Sequence, residues 1–228
     1  MDPNKSEKIN KMKKISFDNI KGILFDMDGV VLDSEKLYSQ SEKKLLSQYG
    51  VKFNDSDWLT IKGCTESQFY DLIYSKFNLT IPRAELINKG RSFLKELFYK
   101  KLNYMNGFEN VHSKLKHKFK LALVTSTGIE MVNHINSFLS LYEKFDLIIT
   151  SKDTKKHKPN PDPYLLAMKK LNLKPNQCIV IEDSMQGIEA GKKAGCFVVG
   201  LEGSLDKKFL HKADLIITNL CDLKNIKL

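Results

Sequence analysis

Apolar residues in this chain fall into two patterns, and the division between them predicts its architecture. After residue 106 short apolar runs recur, each stopping abruptly at polar residues. Leu121-Ala122-Leu123-Val124 stops at Thr125-Ser126-Thr127-Gly128, and Phe145-Asp146-Leu147-Ile148-Ile149 stops at Thr150-Ser151. Cys178-Ile179-Val180-Ile181 stops at Glu182-Asp183-Ser184, Cys196-Phe197-Val198-Val199 at Gly200, and Leu215-Ile216-Ile217 at Thr218-Asn219. Runs this short read as buried strands. Helical patterns lie between them, an alternation that predicts a parallel sheet with helices on its faces. Ser184 is placed to cap a helix carrying Ile188 and Ala194, with Gly195 to end it. Pro161 and Pro163 open another, containing Leu165, Met168 and Leu171.

Residues from about 33 to 105 show helical spacing without comparable strand runs. Leu37, Leu45 and Tyr49 share a period before Gly50. Thr65 and Gln68 form a capping-box pattern ahead of Phe69, Leu72, Ile73 and Phe77. Pro82 precedes a third pattern with Leu86, Phe93 and Leu97. Aromatics at such spacing read as core rather than as a ligand box. With Ile23-Leu24-Phe25 as a first strand, the expected fold class is α/β. A Rossmann-like doubly wound parallel sheet core spans residues 20–32 and 106–228, and an inserted α-helical cap domain spans 33–105. Residues 1–19 read as a polar N-terminal tail in which Met12 is an alternative start.

The first apolar run ends on the densest chemistry, Phe25-Asp26-Met27-Asp28-Gly29. In an extended chain alternate side chains share a face, so Asp26 and Asp28 would converge on one spot. Carboxylates that close repel unless a cation or a proton separates them, which raises one pKa. One ionised and one protonated carboxyl suit a nucleophile or metal ligand beside an acid. Gly29 permits a turn that residues with a Cβ resist. Alone, Asp-x-Asp-Gly also describes an ordinary turn. The other runs carry their polar groups at the same carboxyl end, where ligands sit in open α/β sheets.

Composition excludes more than it adds. The 228 residues suffice for one large domain or two modest ones. No apolar run approaches the roughly 20 residues of a membrane helix, and the amino terminus lacks an apolar signal core. Cys64, Cys178, Cys196 and Cys221 form no CxxC pair, so a reducing, cytoplasmic setting is expected. The net charge of +10 invites a nucleic-acid reading. Yet Arg83 and Arg91 are the only arginines, and the lysines spread along the chain, clustering at 114–120 and 155–158. Arginine is preferred for bidentate phosphate and guanine contacts, so a solvated lysine-rich surface is the expectation.

Four motifs together resemble the haloacid dehalogenase-like superfamily, specifically its β-phosphoglucomutase-like phosphatases. They are Phe25-Asp26-Met27-Asp28-Gly29-Val30-Val31-Leu32-Asp33-Ser34-Glu35, then Val124-Thr125-Ser126, then Lys158-Pro159-Asn160-Pro161-Asp162, and Ile181-Glu182-Asp183-Ser184 with Gly187 and Ala190-Gly191. The resemblance covers about residues 20 to 220, including a small helical cap. It implies Asp26 as nucleophile forming an aspartyl-phosphate, and Asp28 as the acid that protonates the leaving oxygen and then activates water. Both serve a Mg²⁺, Asp26 through its carboxylate and Asp28 through its backbone carbonyl, with Asp183 as a further carboxylate and Glu182 at or near the metal shell. Gly29, Thr125, Ser126 and Lys158 meet the phosphoryl group, and Asp162 orients Lys158 or its loop. Charge counting agrees: Asp26, Asp183, Glu182 and a dianionic phosphate need the metal and Lys158, at about 4 kcal/mol per ion pair at effective ε ≈ 20 and 4 Å. Asp28 disfavours dehalogenation, since a halide leaves without a proton. His134 and His157 are expected to have no catalytic role.

Where the similar sugar-phosphate mutases carry a cap arginine after Lys62-Gly63-Cys64-Thr65, this chain has Glu66; where they carry a histidine, it has Tyr38. Losing both disfavours holding a bisphosphate intermediate. The expectation is therefore a Mg²⁺-dependent phosphatase of a small phosphorylated metabolite, a sugar or polyol phosphate, with Lys62, Glu66 and Tyr38 facing the leaving group. A monomer is expected, with no membrane or nucleic-acid partner. The alternatives are a β-phosphoglucomutase-like mutase and a basic nucleic-acid or regulatory binding protein on the same fold.

Overall fold

Strand β1 (Gly22–Phe25) is buried along its whole length and divides the core in two. Side chains alternate across a strand, so Ile23 and Phe25 join one apolar layer and Leu24 the other. Around β1 a parallel six-stranded sheet assembles from β2 (Lys120–Val124), β3 (Leu147–Ile149), β4 (Cys178–Glu182), β5 (Phe197–Leu201) and β6 (Leu215–Ile217), in the order β3-β2-β1-β4-β5-β6. The computed structural model describes residues 18–61, 64–203 and 207–225. Most of the predicted tail, Met12 and Lys62 lie outside the described residues.

The chain first lays β2 and β3 on one side of β1 and then returns to build β4 to β6 on the other. Such a reversal opens a crevice beyond the carboxyl ends of the central strands. In register, Phe25 lies opposite Leu123 of β2 and Ile181 of β4, so the residues just after each strand emerge side by side. Helices α5 (Phe108–Leu115) and α6 (Ile129–Leu139) cover one face. Helices α7 (Asp162–Leu171) and α8 (Met185–Lys193) cover the other. Pro161 precedes α7, and Ser184 caps α8 by accepting from the Gly187 N–H at 3.0 Å, as their sequence signals predict.

Two strands depart by two residues at one end from the apolar runs that announced them. β3 begins at Leu147 rather than Phe145, because Phe145 turns inward against Phe25 and Phe108 and the Asp146 carboxylate accepts the Leu121 N–H at 2.7 Å. β5 continues through Gly200 to Leu201; the missing Cβ leaves room for Ala213 and Leu210.

Between β1 and α5 stand the cap helices α1 (Glu35–Ser47), α2 (Asp55–Ile61), α3 (Glu66–Lys76) and α4 (Arg83–Lys101). They share an apolar cluster of their own, built on Leu45, Leu46, Phe69, Tyr70, Ile73 and Leu86, with Phe53 stacked on Phe77 at 5.8 Å. The Thr65–Gln68 capping box is complete at the start of α3. The far half of α4 belongs elsewhere: Leu94, Leu97 and Phe98 pack into the layer under β1. Where the chain leaves for the cap and returns, two backbone bonds join the crossings, Asp33 N–H to Asn103 O (3.0 Å) and Met105 N–H to Val31 O (2.8 Å). No helix among the described residues is long and apolar enough to cross a membrane.

Candidate active site

Past Phe25 the chain makes one more ladder bond, Asp26 N–H to Ile181 O at 2.9 Å, and then turns. The Met27 carbonyl accepts the N–H groups of both Val31 and Leu32 at 2.9 Å. This tight turn, rather than a continuing strand, brings Asp26 and Asp28 to one cavity. The apolar run had suggested the strand itself, but β1 ends before the pair. Gly29 has φ +79°, and a Cβ there would overlap the Asp183 carboxylate. Its glycine is therefore required twice, by conformation and by the close approach of Asp183.

Lys158 is 2% exposed, and its ammonium donates to Asp26 Oδ1 (2.5 Å), Glu182 Oε1 (2.7 Å) and Val124 O (2.9 Å). Three donors meet three acceptors. Asp162, expected to orient this lysine or its loop, is not among the partners and begins α7 instead. The orienting carboxylate is Glu182. Its Oε1 also accepts from the buried Tyr164 hydroxyl (2.8 Å), and its Oε2 accepts from the Asp183 N–H, the Ser184 N–H and the Ser184 hydroxyl. Gly187 on α8 makes the space, since a Cβ at that position would overlap the Glu182 carboxylate. The Tyr164 ring lies under the ammonium, 5.0 Å from Nζ.

One carboxylate oxygen each of Asp26, Glu182 and Asp183 falls within 4.8 Å of the others, and all three residues are buried. Burial raises Asp26 well above the usual carboxylate range, and the adjacent Glu182 charge adds to this against the pull of Lys158. For Lys158 burial acts in the opposite sense, but Asp26 and Glu182 outweigh it and hold the ammonium charged. Three buried carboxylates against one ammonium form a donor set of hard oxygens short of positive charge. Such a set fits a divalent cation.

Asp28 occupies a different environment. Its Oδ1 accepts from the Ser34 hydroxyl (2.7 Å) and its Oδ2 from the Thr127 hydroxyl (2.8 Å). Burial raises its pKa, and the two hydroxyls lower it part of the way back. Thr127 has its only proton on Asp28, so the Tyr38 hydroxyl, 3.3 Å from Thr127 Oγ1, is the donor of the next bond. Burial, reinforced by the Asp28 charge, pushes the Tyr38 phenol well up, keeping that proton in place. The Thr127 N–H in turn donates to Thr125 Oγ1 at 3.0 Å, and Ser126 lines the cavity. Thr125 itself is anchored by its N–H to Ile149 O.

The cavity between cap and core measures about 1040 Å³, with Asp26, Asp28, Lys158 and Asp183 on its floor. Glu66, expected at the leaving group, is on the cap wall but clamps Arg91, with Nε to Oε1 at 2.8 Å and Nη2 to Oε2 at 2.6 Å. The remaining Arg91 Nη1 reaches Glu130 of α6 at 2.9 Å, so one guanidinium joins cap to core. His134 fixes α6 to α4 through the Lys95 carbonyl at 3.1 Å, and the His157 carbonyl accepts from the Asn160 side chain. Ser34, Thr127, Tyr164 and Arg91 were not singled out from the sequence. Thr127 stood in a strand-end run, Tyr164 two residues past Asp162, and Arg91 was one of two arginines among many lysines.

Comparison with known proteins gives a consistent picture. The family model described as haloacid dehalogenase-like hydrolase matches residues 23–201. The chain is 29% identical over 177 residues to the phosphorylated carbohydrates phosphatase of Thermotoga maritima, covering 77% of this chain and 82% of that protein. It is 24% identical to the fructose-1-phosphate phosphatase YqaB of Escherichia coli, over 78% of this chain and 95% of the relative. In fold it superimposes on the β-phosphoglucomutase of Clostridium difficile with a TM-score of 0.78 at 24% identity, covering 90% of this chain and 93% of the other.

Proposed function

The chain belongs to the haloacid dehalogenase-like hydrolase family, and we propose that it is a Mg²⁺-dependent phosphatase of a small phosphomonoester, a sugar or polyol phosphate. The carrying observation is that its two leading aspartates sit in opposite environments: Asp26 beside an ammonium in an acidic cluster, Asp28 between two hydroxyl donors. Carboxyl pairs whose surroundings differ in this way divide into distinct roles.

Asp26 Oδ attacks phosphorus as the bond to the leaving oxygen breaks, and Asp28 delivers its proton to that oxygen. Water then attacks the aspartyl-phosphate, Asp28 takes the water's proton, and the P–O bond to Asp26 breaks to release inorganic phosphate. Lys158, held by Glu182 and the Val124 carbonyl, keeps one positive charge between nucleophile and phosphoryl oxygens. The Ser126 backbone and Thr125 hydroxyl orient those oxygens. Tyr38 and Thr127 fix the Asp28 carboxyl toward the leaving group. A Mg²⁺ held by Asp26, Asp183 and the Asp28 backbone carbonyl, with Glu182 alongside, would supply the remaining positive charge. The clamp of Glu66 on Arg91 favours hydrolysis over isomerisation, because that guanidinium is already neutralised by two carboxylates.

Sorbitol 6-phosphate and glucose 1-phosphate with Mg²⁺ are expected to yield inorganic phosphate, with activity abolished by EDTA and restored by Mg²⁺. Isomer formation without phosphate release would establish the mutase instead. Absence of turnover, even of p-nitrophenyl phosphate, together with steeply salt-dependent RNA binding would establish a binding protein.

A further inference from the structure

One carboxyl on the cap wall is left over by this chemistry. Glu35, Tyr38, Glu42 and Leu45 follow one another on α1 at spacings of three and four, which places them on one face of the helix. All four line the cavity. Glu42 is the member deep enough that burial, with Glu35 beside it, pushes its carboxyl up to about 8. Cys64 and Tyr70, which also line the cavity, lie near it. Glu66 and Glu130 spend themselves on Arg91. Among the described residues Glu42 makes no hydrogen bond and no ion pair. Glu42 is half-buried and faces the cavity without a protein partner, so its carboxyl is available to a bound molecule.

We propose that Glu42 is a specificity-determining residue, and that its partner is a hydroxyl group of a polyhydroxylated leaving group whose phosphate sits at Asp26. This rests on the phosphatase reading and narrows it. As a carboxylic acid, Glu42 offers one donor and one acceptor, the complement of a sugar or polyol hydroxyl. A substrate with a second anion in that position would instead force a charge against a group already short of solvation.

The test compares wild type, Glu42→Gln and Glu42→Leu on sorbitol 6-phosphate, glucosamine 6-phosphate, phosphoglycolate and p-nitrophenyl phosphate. In Glu42→Leu the ratio of kcat/KM for sorbitol 6-phosphate to that for p-nitrophenyl phosphate should fall about tenfold or more, mainly through KM. Glu42→Gln, which keeps a donor and an acceptor, should lose no more than about threefold. An unchanged ratio in Glu42→Leu overturns the proposal, as does a wild type that prefers phosphoglycolate. Preference for glucosamine 6-phosphate, with the glutamine variant failing as badly as leucine, overturns the hydroxyl assignment in favour of an ammonium. Thermal shifts with sorbitol 6-phosphate, compared with inorganic phosphate, read the same contact without turnover. The extra shift given by the polyol should vanish in Glu42→Leu, and its survival overturns the proposal. Failure of every substrate in wild type would instead break the phosphatase reading, leaving the thermal shifts to decide Glu42.

Discussion

The floor and the cap wall of the cavity are both built from charged residues, but they are built to different standards. On the floor, Lys158 and Glu182 are buried and every hydrogen of the ammonium is committed. On the wall, Arg91 and Glu66 meet Glu130 of the core helix α6 through long, flexible side chains, each more than a third exposed. Burial makes a charge array expensive to disturb, whereas solvent makes one easy to rewrite. On the proposed reading, the reaction rests on the rigid floor and the contact between cap and core on the looser wall.

The contrast breaks first, or holds first, at Asp26. Asp26→Asn removes the attacking oxygen while preserving shape and should lower kcat by roughly 10⁴-fold, with circular dichroism unchanged. Residual turnover above a few per cent would remove Asp26 from the nucleophile's place. Next in size is Glu182→Gln. It sets an amide against the buried Lys158 ammonium, and breaking a buried pair costs about 3–5 kcal/mol. The expected outcome is a thermal midpoint lower by about 10 °C together with a kcat loss of about 100-fold. A midpoint lowered by less than about 3 °C, which corresponds to about 1 kcal/mol, would show the floor to be less rigid than its hydrogen bonds imply. Smallest is Arg91→Met on the wall. Exposed pairs contribute under about 1 kcal/mol each, so the midpoint should move by less than about 4 °C. The change should appear in KM for the leaving group rather than in turnover of p-nitrophenyl phosphate. A kcat effect as large as that of Glu182→Gln would erase the distinction between the two regions.

Much of the sheet was legible because a buried parallel strand must be apolar on both faces, and a run such as Cys178–Ile181 has few other uses. Helix ends were legible where chemistry marks them, as at Thr65 and Ser184. Strand limits were less so: Phe145 is apolar for packing against rings, not for pairing, and spelling does not separate the two. At the site, the motifs announced Asp26, Asp28, Lys158 and Asp183 by their place after strands. The partners that hold them were hidden, because Ser34, Thr127 and Tyr164 act through distances of 6 to 99 positions in the chain. Asp162 misled for the complementary reason: it lies near Lys158 in sequence, but the ammonium had already found three acceptors. The cap wall was the least legible part, since the Glu66–Arg91–Glu130 contact joins three helices whose relative placement no local pattern encodes.

The pair of backbone bonds between the chain crossings, Asp33 to Asn103 and Met105 to Val31, has a consequence for folding and for descent. Because the outgoing and returning segments lie side by side, everything between them is topologically a surface loop. Lengthening such a loop from a few residues to about 70 adds only about 2–3 kcal/mol of closure entropy, since the cost grows with the logarithm of length. The insertion therefore adds little to the entropic cost of closing the sheet. A cap of another size or shape could be spliced in at the same two points while the strands of the sheet stay in register.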